Sequence, residues 1–267
     1  MAKVKAVFFS LGFFILVLIF FSFAVLISDT FKLSRDRTSE LIALEKFHTL
    51  DESTQQGFRD IFNITSGIKI SKTNTITFTE ELPNSNETNF KNNLTNFSNF
   101  INLNYPIKLS DDIINNELAL WIRPHNIKYY HESFGDDIIK VQHESYNFNK
   151  YIVNIITTRT LDSTSCSATG NSNGKLDVSA TGASSTSCSS NSPQHVDLFD
   201  DSDVLIATVD LTSNILTIDS ESSITVTTSI NSLDDLNKAV DIYTEEGTLF
   251  MNFSDFNFIK NTSIRVV

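Results

Sequence analysis

Ala6–Ile27, AVFFSLGFFILVLIFFSFAVLI, is an uncharged apolar run preceded by Lys3 and Lys5. At 1.5 Å per residue, a helix over it is about 33 Å long, enough to cross the roughly 30 Å hydrocarbon core of a bilayer. Lipid offers a backbone no hydrogen-bond partners, so the run predicts one continuous helix. The lysine flank assigns the N-terminus to the cytoplasm and everything after Ile27 to the outside. A cleaved secretory signal shares some of these features, and Ser22-Phe23-Ala24 puts small residues where signal peptidase cuts. The run exceeds the roughly 7–15-residue apolar stretch of such signals and continues through Val25-Leu26-Ile27, which favours a retained transmembrane or filament-core helix over residues 1–27. A core helix of a soluble protein would need a much larger domain around it.

Nothing after Ile27 stops the helix at once. Ser28–Phe62 contains no proline, and Phe31, Leu41, Leu44, Phe47, Phe58 and Phe62 approximate a stripe of helical period. The expectation is an amphipathic helical stem over residues 28–66. It is either one helix of roughly 85 Å in all, or two helices broken near Asp51–Gly57.

From Gly67 the period changes to two. Ile68–Ile70 and Thr75–Phe78 alternate as strands do, and Phe90, Leu94, Phe97 and Ile101 then mark a short amphipathic helix, with Ser85 or Asn86 as its cap. Strands are expected at Leu118–Ile122, Ile127–Tyr130, Ile138–Val141 and Tyr146–Thr158, forming an antiparallel meander with Trp121 as a core anchor. Thr157–Pro193 is dominated by serine, threonine, glycine and alanine, and reads as an exposed loop or protruding β-arm. Strands resume at Val204–Val209, Asn214–Ile218, Ile224–Ile230, Thr248–Phe253 and Phe256–Val266. Between them Ser232-Leu233-Asp234-Asp235, a capping-box pattern, predicts a short helix running through Val240 and Tyr243. The fold class is therefore α+β: a long N-terminal transmembrane and amphipathic helix, then an extracellular, antiparallel, sandwich-like β domain over residues 67–267.

The formal charge is −12, and from Asn191 onward thirteen acidic residues face three basic ones. Such a surface repels nucleic acid and anionic lipid. Cys166 and Cys188, each inside an STSCS repeat, are the only cysteines and predict one disulfide on the outer side. No GxSxG, HExxH, GxxxxGK or CxxC pattern occurs, so no enzyme, cofactor or metal site is expected. Tyr130-His131-Glu132-Ser133 and Gln142-His143-Glu144-Ser145 would chelate a metal if both pairs converged; facing polar pairs on a solvated sheet are the commoner arrangement. Asp197, Asp200, Asp201 and Asp203 lack the glycine and bidentate glutamate of a calcium loop. Sequons at Asn63, Asn86, Asn93, Asn96, Asn252 and Asn261 all fall on the outer side and are candidate glycosylation sites.

Lys5-Ala6-Val7-Phe8-Phe9 resembles the class III signal-peptide junction of archaeal type IV pilins, where a basic and a small residue precede the apolar helix. The order of apolar helix, amphipathic extension and β-rich head is similar to the pilin plan, and Gly57-Phe58-Arg59-Asp60-Ile61-Phe62 resembles a stretch of pilin-like secreted archaeal proteins. The likeness covers about the first sixty residues, and the glutamate near the start of the run in bacterial pilins is absent. It implies a structural subunit of a cell-surface filament that self-associates through its N-terminal helix, packed by Phe8, Phe9, Phe13, Phe14, Phe20, Phe21 and Phe23. The alternative is a monomeric membrane-anchored ectodomain acting as adhesin, receptor or viral spike.

Overall fold

The computed structural model describes residues 2–267 except 74, 111–112, 114–117, 132–136, 145–147, 233–239 and 254–257, and no side chain at 2–13, 15–16, 87, 148, 232, 253 or 258. The chain divides into two compact units, Met1–Ser53 and Thr54–Val267.

Helix α1, Ala2–Thr65, is unbroken and contributes to both units. No break forms at Asp51–Gly57. Gly57 serves another purpose: a Cβ there would lie 2.8 Å from the ring of Phe97 on α2, Glu87–Asn104. Glycine thus lets the second helix come close. In the second unit Phe58 and Phe62 of α1 are fully buried, and Phe62 meets Phe90 of α2 edge-on at 6.1 Å. Helix α2 starts where Asn84 Oδ1 accepts the Asn86 amide, and it stops at Tyr105 ahead of Pro106.

The strands, in order, are β1 Lys69–Lys72, β2 Ile76–Leu82, β3 Ile107–Leu109, β4 Ala119–Arg123, β5 Ile127–Tyr130, β6 Ile138–His143 and β7 Phe148–Thr157. After them come β8 Cys166–Thr169, β9 Leu176–Thr181, β10 Ser187–Asn191, β11 His195–Phe199 and β12 Leu205–Thr212. The last are β13 Ile215–Ser220, β14 Ile224–Ser232, β15 Asp241–Thr244, β16 Leu249–Phe253 and β17 Phe258–Thr262. They form three sheets, ordered β1-β2-β14-β7-β9-β10, β15-β4-β5-β6-β13-β12-β11-β8, and β17-β16-β3. Among the described residues the pairings are antiparallel except β7 with β9, which run parallel.

Alternation decides which side of each strand is buried. Ile76, Phe78 and Leu82 of β2 point inward with Ile224, Val226 and Ile230 of β14, while Thr77 and Thr79 point out. Phe78 stacks on Tyr129 of β5 at 4.1 Å, which brings the six- and eight-stranded sheets face to face.

Three expectations need correction. Trp121 is half-exposed on β4, with Lys128 Nζ 5.7 Å from its ring; the neighbours Leu120 and Ile122 carry the burial instead. The Ser/Thr-rich segment is woven into the domain rather than looped out: β8 and β10 are sheet edges, and Leu176, Val178 and Ala180 of β9 are buried. Those three small or medium apolar residues, spaced by two, suffice to seat a strand beside β7. Asp241–Thr244 is a strand paired with β4, not part of a helix; Ser232, which opens the capping-box pattern, is the last residue of β14, and residues 233–239 lie outside the described residues.

Candidate functional site: the exposed apolar helix

Every described residue from Val17 to Ile27 is exposed. Phe14, Phe20, Phe21 and Phe23 leave 60, 67, 68 and 59% of their surface uncovered; the side chains of Phe8, Phe9 and Phe13 lie outside the described residues. The polar groups in this stretch look after themselves. Ser22 donates to the Leu18 carbonyl at 2.9 Å, and Thr30 to that of Leu26 at 2.7 Å, so neither hydroxyl carries an unmade hydrogen bond into an apolar environment. The helix is long and apolar enough to span a membrane. Its exposed apolar side chains continue past that span, among charged residues, at Phe31, Leu33, Leu41, Ile42 and Leu44.

The other candidates in the β domain resolve into structural parts. His131 and His143 are both buried, but in different company. His131 Nε2 lies 3.1 Å from the Glu80 carboxylate, which also accepts the Tyr129 hydroxyl, whereas His143 Nδ1 sits 2.9 Å from Tyr151 Oη. Glu132 lies outside the described residues, and Glu144 is exposed. Burial, with the charge of Glu80 adding to it, pushes the Tyr129 hydroxyl well above its ordinary pKa, so Tyr129 is a fixed donor. Glu80, Tyr129 and His131 are all closed off from solvent, which makes this a polar clasp between two sheets. One signal for it existed: Glu80 is in phase with the inward Phe78 and Leu82.

The acidic set is likewise divided. Asp197 pairs with His195 Nε2 at 3.0 Å, and Asp210 approaches the other ring nitrogen at 3.3 Å. Asp200 accepts the amides of Val204 and Ser202 and the guanidinium of Arg159, and the Val204 amide leads in holding its carboxyl below the usual range. Among the described residues no three His, Cys, Asp or Glu side chains are placed to hold a metal ion.

Cys166 and Cys188 are bonded. The bond joins β8, an edge of the eight-stranded sheet, to β10, an edge of the six-stranded one. The two STSCS repeats therefore deliver one cysteine to each sheet. All six sequon asparagines, Asn63, Asn86, Asn93, Asn96, Asn252 and Asn261, are exposed. No known protein family, curated protein or solved structure matches the chain.

Proposed function

We propose that the chain is a pilin-like structural subunit of a surface filament, inserted first as a membrane protein with its β domain outside and then assembled through the N-terminal helix. One observation carries this reading: the exposed apolar side chains do not end where a bilayer would. A lipid anchor accounts for Ala6–Ile27. It leaves Phe31, Leu41 and Leu44, exposed by 72, 66 and 57%, facing water. Association of several copies along the helix would cover them, at about 25 cal/mol per Å2 of apolar surface removed from water. The disulfide is in keeping with an oxidising, extracellular location, and the acidic charge argues against nucleic acid as partner.

The test replaces Leu41 and Leu44 together by alanine. Both lie outside the apolar span and alanine favours helix, so insertion and helicity should be unchanged. A filament subunit should reach the membrane at normal level yet yield few or fragile filaments in negative-stain images of sheared surface material. If the unaltered chain forms no filaments, the reading fails and an anchored ectodomain replaces it.

A further inference from the structure

A second surface, independent of the helix, has the chemistry of a binding site. At the end of α1 a recess of about 240 Å3 opens beside β1 and β2. Its walls include Asn63, Asn86, Lys69, Glu81, Thr79 and Thr225, and Ile64, 80% exposed, forms an apolar edge. The recess is built, not incidental. Gly67, at φ +75°, turns the chain there, and a Cβ on it would lie 2.8 Å from Asn84 Oδ1. Asn84 is in turn fixed by donating to the Ser66 carbonyl at 2.8 Å.

The recess continues onto the outer face of the six-stranded sheet. Strand register places Lys69, Thr79, Thr227, Asn154, Ser179 and Ser189 in one row across all six strands. Thr79 and Thr227 hydroxyls lie 3.1 Å apart, and the Ser179 hydroxyl donates to Asn154. Five strand spacings make the row about 24 Å long. Beyond Lys69 it carries no charge, in a chain of formal charge −12.

The row itself is hydroxyls and amides; on the same face it is flanked by Ile156, 55% exposed, and by Lys150 and Asp177, whose charges pair with each other, so the row beyond the recess suits neither phosphate nor a basic peptide. It matches a partner that is itself neutral and rich in hydroxyls. A sugar ring also has apolar C–H edges, which suit Ile64, and vicinal hydroxyls, which suit a carboxylate or amide beside a donor such as Glu81 and Lys69. From this the geometry points to a binding site for a neutral polysaccharide, one sugar seated in the recess and the chain laid along the Thr79–Ser189 row. The site would serve a filament subunit and a lone ectodomain alike, so it stands apart from the assembly reading.

The full chain in lipid nanodiscs is passed over immobilised mannan, β-1,3-glucan and hydroxyethyl cellulose, with alginate as a charged control. Retention by at least one neutral polymer is expected, unaffected by 0.5 M salt (roughly half the Debye length of physiological buffer) because no ion pair forms. Thr227→Glu should weaken it at least tenfold. Thr227→Val, which keeps the shape and removes one hydroxyl, should weaken it several-fold and guards against misfolding of the first variant. The proposal is overturned by retention on none of the three neutral polymers, by retention lost in salt, or by an unchanged Thr227→Glu variant. A glycan found on Asn63 or Asn86 by intact mass, or an oligomeric mass that Thr227→Glu reduces, would overturn it too. Either result would show that the chain's own sugar or a second copy fills the site.

Discussion

Phe78 is fully buried and stacked on Tyr129, whereas Phe20 leaves 67% of its surface uncovered. The same residue type is buried in one region and exposed in the other. In the β domain apolar groups at alternate strand positions cover one another, so hydrophobic free energy is spent on folding. Over residues 17–42 of the helix they stay exposed, and under the proposed function the same free energy drives insertion and assembly. Stability and assembly should therefore respond to different substitutions.

The largest effect tests that separation directly. Phe78→Ala removes a ring from a closed core and should destabilise the β domain by about 3–5 kcal/mol. Phe20→Ala should leave unfolding of the β domain unchanged within about 0.5 kcal/mol while reducing filament yield. Urea titrations of both variants, followed by the signal of the lone Trp121, measure the contrast. Equal losses would mean that the two regions fold as one.

The cysteine pair comes next. An arm outside the core would merely loosen on losing its bond; an edge-to-edge clamp of two sheets should matter throughout. Replacing Cys166 and Cys188 by serine frees a loop of 22 residues, and the chain-entropy model puts the cost at about 3 kcal/mol. The unfolding midpoint of the whole β domain should fall, in the variant and in reductant alike. A midpoint that stays put would restore the loosely attached arm.

These regions also differ in how readable they were. The apolar helix was legible because length and lack of charge suffice to define a span. Strands such as β2 and β14 were legible because a period of two over large residues admits few other readings. Leu176, Val178 and Ala180 of β9 have the same period, but the surrounding serines and threonines, usually a sign of exposure, obscured it. β15 was misread because Val240 and Tyr243 also fit a helical spacing, and pairing with β4 settled the matter. The disulfide needed only a count of two. The clasp of Glu80, Tyr129 and His131 joins residues 49 and 51 positions apart. Strand periodicity marks Glu80 as odd but cannot name its partners.

A smaller effect depends on pH. Burial first, and then the positive charge of Lys175, lower the His143 pKa from 6.5 to about 4; a hydrogen bond with Asn214 acts the other way. Between those values the unfolded chain binds the proton and the folded chain resists it, so stability should decline as pH falls from 6.5 toward 4. Glutamine can still reach Tyr151 Oη but does not titrate. Denaturation midpoints should therefore fall less steeply in His143→Gln than in the unaltered protein over that window. Parallel slopes would assign the decline to other groups.

The smallest effect lies on the outer face of the eight-stranded sheet. Lys128 Nζ stands 5.7 Å from the Trp121 ring, 5.0 Å from the Tyr130 ring and 3.7 Å from Glu245. Its charge lies over both ring faces. Half-exposed cation–π contacts contribute about 0.5–1 kcal/mol, and the pair with the exposed Glu245 adds little. Lys128→Ala should therefore lower stability by under about 1 kcal/mol and shift Trp121 emission to the red, as water reaches the ring. Lys128→Met keeps the apolar stem, so emission should stay close to that of the unaltered protein while the electrostatic part of the stability is lost. A loss of more than about 2 kcal/mol for Lys128→Ala, the scale of a buried large side chain, would return Trp121 to the core.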